Sequence, residues 1–111
     1  MAQLLGSALG TARPPLSDEA VADAFLVTSE LVTNALRHGG GLTEFAAEID
    51  RDVLTITVAD ASSEVPHTSE THSAMSEGGF GWPLILLLAQ EVSVAPSPGG
   101  GKSIQVILPL R

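Results

Sequence analysis

Glu30, Asn34 and His38 recur at intervals of four residues in the stretch SELVTNALRHGG. Residues spaced at i, i+4 and i+8 stack along one face of a helix, so a carboxylate, an amide and an imidazole would share a single ridge, with Arg37 beside it. Glu30 has the chemistry to accept a proton from water or a hydroxyl, and the Asn34 carbonyl oxygen is a hard donor suited to magnesium. Asparagine is a mediocre helix-interior residue, because its side chain competes for backbone hydrogen bonds, so its place inside an apolar repeat needs a reason. A solvated helix face has the same spacing, and spacing alone leaves both explanations open. His38, next to a run of glycines, is read as closing the helix end against its dipole.

Two further groups carry possible chemistry. Asp60 stands where an apolar strand runs into a loop; aspartate is a common turn initiator there, and it also suits acceptance of a hydrogen bond from an exocyclic amine such as that of adenine. In EGGFGWPL, Gly78, Gly79 and Gly81 precede a helical run and can expose backbone N–H groups to phosphate, although glycine before a helix is also ordinary punctuation. The tract GGGKS at residues 99–103 imitates a phosphate-binding loop. The required spacing would put glycine where Pro96 stands, and a strand rather than a helix follows, so a P-loop NTPase is excluded. Lys102 and Ser103 remain free to approach a phosphate or to cap a hairpin.

The elements that must position these residues follow from the periodicity. A short helix through Leu4, Leu5 and Leu9 is expected to be partly ordered, in an amino-terminal segment spanning residues 1–16. Ser17 is a good N-cap, with Asp18 and Glu19 in the first turn where the helix dipole favours acids. From Val21 to Ala35 the apolar positions repeat at helical spacing, and Gly39 to Gly41 end the run. Strands are expected at residues 42–49 and 53–59, joined by a tight turn around Asp50, Arg51 and Asp52. Residues 61–79 have little to bury and read as a lid or binding loop. The run from Leu84 to Ala89 reads as a helix buried on nearly all sides, with Pro83 in its first turn. EVSVA and SIQVILPL complete the set as strands. This order fits one α/β domain over residues 17–111, a two-layer sandwich with a mostly antiparallel sheet covered on one face by helices.

Composition narrows the function classes. Thirteen acidic residues against five basic ones, Arg13, Arg37, Arg51, Lys102 and Arg111, give a formal charge of -8. Without a basic cluster the chain has no footprint for nucleic acid, and a bound nucleotide triphosphate would depend on metal and backbone N–H groups more than on cationic side chains. There are no cysteines, which removes disulfides and thiolate zinc sites and fits a cytoplasmic location. The apolar tract WPLILLLA is too short to span a bilayer.

Taken in order, ELVTNALRHG, VADASSEVP, EGGFGWPL and GGGKSIQVIL resemble the motifs of the GHKL (histidine kinase-like) ATP-binding superfamily. They look most like its single-domain anti-sigma-factor serine/threonine kinases and their actinobacterial regulatory relatives. The resemblance implies the Bergerat-type sandwich, with ATP between the helix layer and the lid. It further implies Glu30 as general base, Asn34 as the ligand of ATP-bound magnesium, and Asp60 as acceptor for the adenine amine. Gly79 and Gly81 would belong to the phosphate-facing segment, and Ser103 would close the nucleotide pocket. The implied reaction is transfer of the γ-phosphoryl group to a serine or threonine of an anti-anti-sigma partner, with sequestration of a sigma factor as a second activity and a homodimer left open. The sequence departs from the family pattern at Ser62, where glycine is usual, and at Phe80 and Trp82, where a basic and an aliphatic residue are usual. Those departures point to an alternative, a non-catalytic protein-binding module with weak or lost nucleotide binding.

Overall fold

The Ser17 Oγ accepts the backbone N–H of Ala20 at 3.1 Å, satisfying one of the orphan donors at the start of the long helix as the sequence leads one to expect. In the computed structural model, which describes residues 2–12, 15–37, 40–62 and 81–111, this helix is the second of three. The elements are α1 (Ala2–Leu9), α2 (Asp18–Arg37), β1 (Leu42–Asp50), β2 (Val53–Asp60), α3 (Gly81–Leu88), β3 (Glu91–Pro96) and β4 (Lys102–Pro109). Beyond Arg37 the chain turns through Gly40 and Gly41 at φ of 75° and 118°, backbone that only glycine adopts cheaply. The Gly41 N–H then returns to the Ala35 carbonyl at 3.0 Å, pairing one of the acceptors that a helix end leaves open.

The strands form one sheet in the order β1-β2-β4-β3, and every neighbouring pair runs antiparallel. A two-residue turn, Arg51 and Asp52, joins β1 to β2, with Arg51 at φ 60°. The turn between β3 and β4 is held by the Ser97 N–H on the Gly101 carbonyl at 2.8 Å. Alternation separates the two faces of the sheet. Leu54, Ile56 and Val58 of β2 and Ile104, Val106 and Leu108 of β4 point inward and are buried, while Thr55, Thr57, Gln105 and Ile107 lie on the more open face.

All three helices contribute to the core on that inner face. Ala24, Val27, Leu31 and Ala35 form the buried stripe of α2, and they join the strand residues and Ile85 of α3 in one cluster. In the amino-terminal segment, Leu5 is fully buried and Leu9 nearly so, both in the same cluster.

Helix α3 corrects an expectation. The sequence reads as a helix buried on nearly all sides, yet Leu86 is 52% and Leu87 78% exposed. Eight residues give little more than two turns, and this helix rests on the core through Ile85, with Trp82 and Leu88 packed at the margin. An apolar run signals burial only where a second layer exists to supply it, and among the described residues nothing covers the outer side of α3. The lid assigned to residues 61–79 lies, after Ser62, outside the described residues.

Candidate functional site

The carboxyl end of β2, the start of β4 and the end of α2 meet at one edge of the sandwich. Ala61 donates its N–H to the Gly41 carbonyl at 3.2 Å, which ties the exit of α2 to the exit of β2. Asp60 pairs in register with Lys102, the first residue of β4. At Gly101, just before it, a Cβ would run into the Asp60 backbone carbonyl. The glycine therefore lets β4 begin hard against the end of β2.

From that edge α2 leads back over the sheet. Asn34 and Glu30, both half-buried, lie one and two turns before its end, with Glu30 about 10 Å along the axis from Arg37 at the usual helical rise. Gly81 opens α3 directly against Glu30: a Cβ there would sit 2.5 Å from Glu30 Oε2. Helix α3 runs away from this contact toward the opposite end of the sheet, where the Gln90 N–H bonds the Ile107 carbonyl at 2.7 Å. Glu30 thus meets the N-terminal turn of α3, on the helix-covered side of the sheet toward which Asp60 points.

Asp60 and Lys102 are 4% and 5% exposed. The Lys102 ammonium donates to Asp60 Oδ1 at 3.0 Å and lies 2.9 Å from Oδ2. It also donates to the Ser62 carbonyl at 3.3 Å, while the Ser62 N–H donates to Asp60 Oδ1 at 3.0 Å. A buried cation and anion held together by three acceptors form a satisfied unit, and removal of either partner would strand a charge.

The family models match this architecture at the level of the whole chain: residues 2–108 match the family described as "Histidine kinase-like ATPase domain". The chain belongs to the histidine kinase-like ATPase domain family. A solved structure with the same fold, the Erythrobacter litoralis EL346 blue-light activated histidine kinase, is 23% identical with a TM-score of 0.58. The alignment covers 86% of this chain and 32% of that one, so the chain spans about a third of that kinase. No curated protein sequence matches the chain.

Within a histidine kinase-like ATPase domain, the sequence-derived site residues fall into three groups. Glu30 and Gly81 come together where α2 meets the start of α3, and Asn34 lies one turn further along α2. Asp60 lies on the same, helix-covered face, at the sheet edge where α2 ends. Ser103 is separated from them: it pairs with Ala59 and Ala95, on the face of β4 turned away from Asp60. Gly79 and His38 lie outside the described residues. Lys102, not Ser103, is the β4 side chain that reaches Asp60, and its signal was present in the sequence. Lys102 shares the parity of Ile104, Val106 and Leu108, which puts it on the buried face.

Family members generally bind ATP with magnesium. Among the described residues no group of three or more His, Cys, Asp or Glu side chains could hold a metal. Magnesium takes one or two protein oxygens and completes its shell with water and nucleotide phosphates, and the Asn34 carbonyl oxygen has the chemistry of such a donor. No described helix is long and apolar enough to cross a membrane.

Proposed function

We propose that the protein is an ATP-binding regulator acting as a magnesium-dependent serine/threonine kinase of the anti-sigma-factor type. The observation that carries this reading is the placement of Glu30, on the ridge it shares with Asn34, against Gly81 at the N-terminal turn of α3. In that position Glu30 would orient the hydroxyl of a serine or threonine on an anti-anti-sigma partner and accept its proton as the γ-phosphoryl group transfers. Asn34 would ligate the magnesium carried by the nucleotide, which supplies neutralisation of phosphate charge. The backbone N–H groups of the α3 first turn would face the phosphates, and Asp60 would accept a hydrogen bond from the adenine amine. A sigma factor would be held through protein contacts, and a cytoplasmic location follows from that partner.

The test is Glu30→Gln, which keeps the size of the side chain and one acceptor oxygen but removes the base. Phosphoryl transfer from labelled ATP to the anti-anti-sigma partner should fall by at least about a hundredfold, while ATP affinity changes by less than a few fold. Transfer at the wild-type rate in the variant would remove Glu30 from the reaction.

One observation favours a second reading. Asp60 is already bonded to Lys102 and to the Ser62 N–H, so base recognition must work around an existing ion pair. If that pair stays shut, the domain is a non-catalytic protein-binding module, and titration with magnesium and ATP will show no saturable binding.

A further inference from the structure

The Lys102–Asp60 pair is more than a neutralised charge, because the hydrogen-bond capacities of its two groups can be counted. An ammonium has three donors and no acceptor, and a carboxylate has about four acceptor positions, two on each oxygen. Lys102 donates to Asp60 Oδ1 and to the Ser62 carbonyl and lies 2.9 Å from Asp60 Oδ2. Asp60 Oδ1 takes both Lys102 and the Ser62 N–H and is full. Only Oδ2, with Lys102 as its partner, retains one open position.

We propose that Lys102 is a specificity-determining residue at the base end of the nucleotide site. Together with the Ser62 N–H it reserves Oδ1, so that Asp60 presents an incoming base with a single acceptor. The proposal rests on the reading of Asp60 as the adenine acceptor given above. Adenine needs one acceptor, because its exocyclic amine stands next to a ring nitrogen that carries no hydrogen. Guanine carries a ring N–H and an exocyclic amine side by side and asks for two acceptors, one on each carboxylate oxygen. A guanine base would leave polar groups unpaired in a desolvated site, which is the most effective way for a pocket to reject a near-isostere. Nothing in the position of Ser103, on the other face of β4, supplies this selection.

Calorimetric titration of the full chain with magnesium-ATP and magnesium-GTP tests the proposal, in the wild type, in Lys102→Met and in Lys102→Gln. The wild type should prefer ATP, and Lys102→Met should narrow the ATP-to-GTP affinity ratio by about tenfold or more. Lys102→Gln, which retains one neutral donor toward Asp60 and tolerates the buried position better, should give a ratio between the two. A purely structural role for Lys102 would weaken both nucleotides together and leave the ratio unmoved; that result, or a wild type that does not prefer ATP, overturns the assignment while leaving a nucleotide site in place. Saturable binding of neither nucleotide to the wild type would instead overturn the ATP-binding reading, and this inference with it.

Discussion

Gly81 is where a single missing atom leaves room for the group proposed as the base. Glycine at the start of a helix is usually explained by backbone freedom, yet no left-handed φ is recorded at Gly81. What the position requires is the absence of a Cβ, because the Glu30 carboxylate occupies that space. Gly81→Ala should leave the helix intact, since alanine is the better helix former, and displace the end of Glu30 by rotation of its flexible side chain. A displacement of about 1 Å at a reacting group costs on the order of a hundredfold in rate. Phosphoryl transfer should therefore fall by about that factor with the melting temperature within a few degrees of wild type. A variant that transfers phosphate normally would show that the Glu30–Gly81 contact is packing alone. The same scale bears on Lys102 and Ser103: GGGKS leaves both free to approach a phosphate, and the resemblance gives a place to Ser103 alone. The alternation of Lys102, Ile104, Val106 and Leu108 puts the lysine on the buried face of β4 and Ser103 on the other.

At the scale of elements, what could be read from sequence depended on how each element meets its neighbours. The long helix was legible almost to the residue, because its cap at Ser17, its apolar stripe and its terminal glycines agree. The strands were legible because inward and outward positions alternate, and their observed ends differ by a residue or two from those expected. Helix α3 was placed correctly in the chain but its exposure was not, since a short apolar run carries no information about which of its sides finds a partner. Helix α1 shows the converse: its glycines and terminal position weigh against order locally, while its packing is tertiary. Leu5 is fully buried in the shared core, so Leu5→Ala should destabilise the protein by about 2–5 kcal/mol, the range for a buried leucine truncation. Chemical denaturation measures this directly. A change below about 0.5 kcal/mol would mean that α1 contributes nothing to the fold. Pairing between distant strands, and with it the meeting of Asp60 and Lys102 forty-two residues apart, was beyond local periodicity. The order β1-β2-β4-β3 depends on which strand closes beside β2, a choice made by the core as a whole.

Over the whole molecule, the proposed function asks an acidic chain with a formal charge of -8 to hold a polyanion. Its net field opposes that, so affinity would come from local devices: the N-terminal turn of α3, the Asn34 oxygen toward a metal, and the acceptor at Asp60. Lys102, buried on the inner face of the sheet, is engaged by Asp60 and Ser62, which on the proposed reading would throw phosphate binding still further onto magnesium. Family membership establishes the histidine kinase-like ATPase architecture, and the measurement that bears most directly on the central claim is calorimetric titration of the chain with ATP, with and without magnesium. Saturable binding in the presence of magnesium, weakened by at least about tenfold when the metal is chelated and again in Asn34→Ala, is the result expected of a metal-dependent nucleotide site. Heat signals that do not saturate under either condition would contradict it.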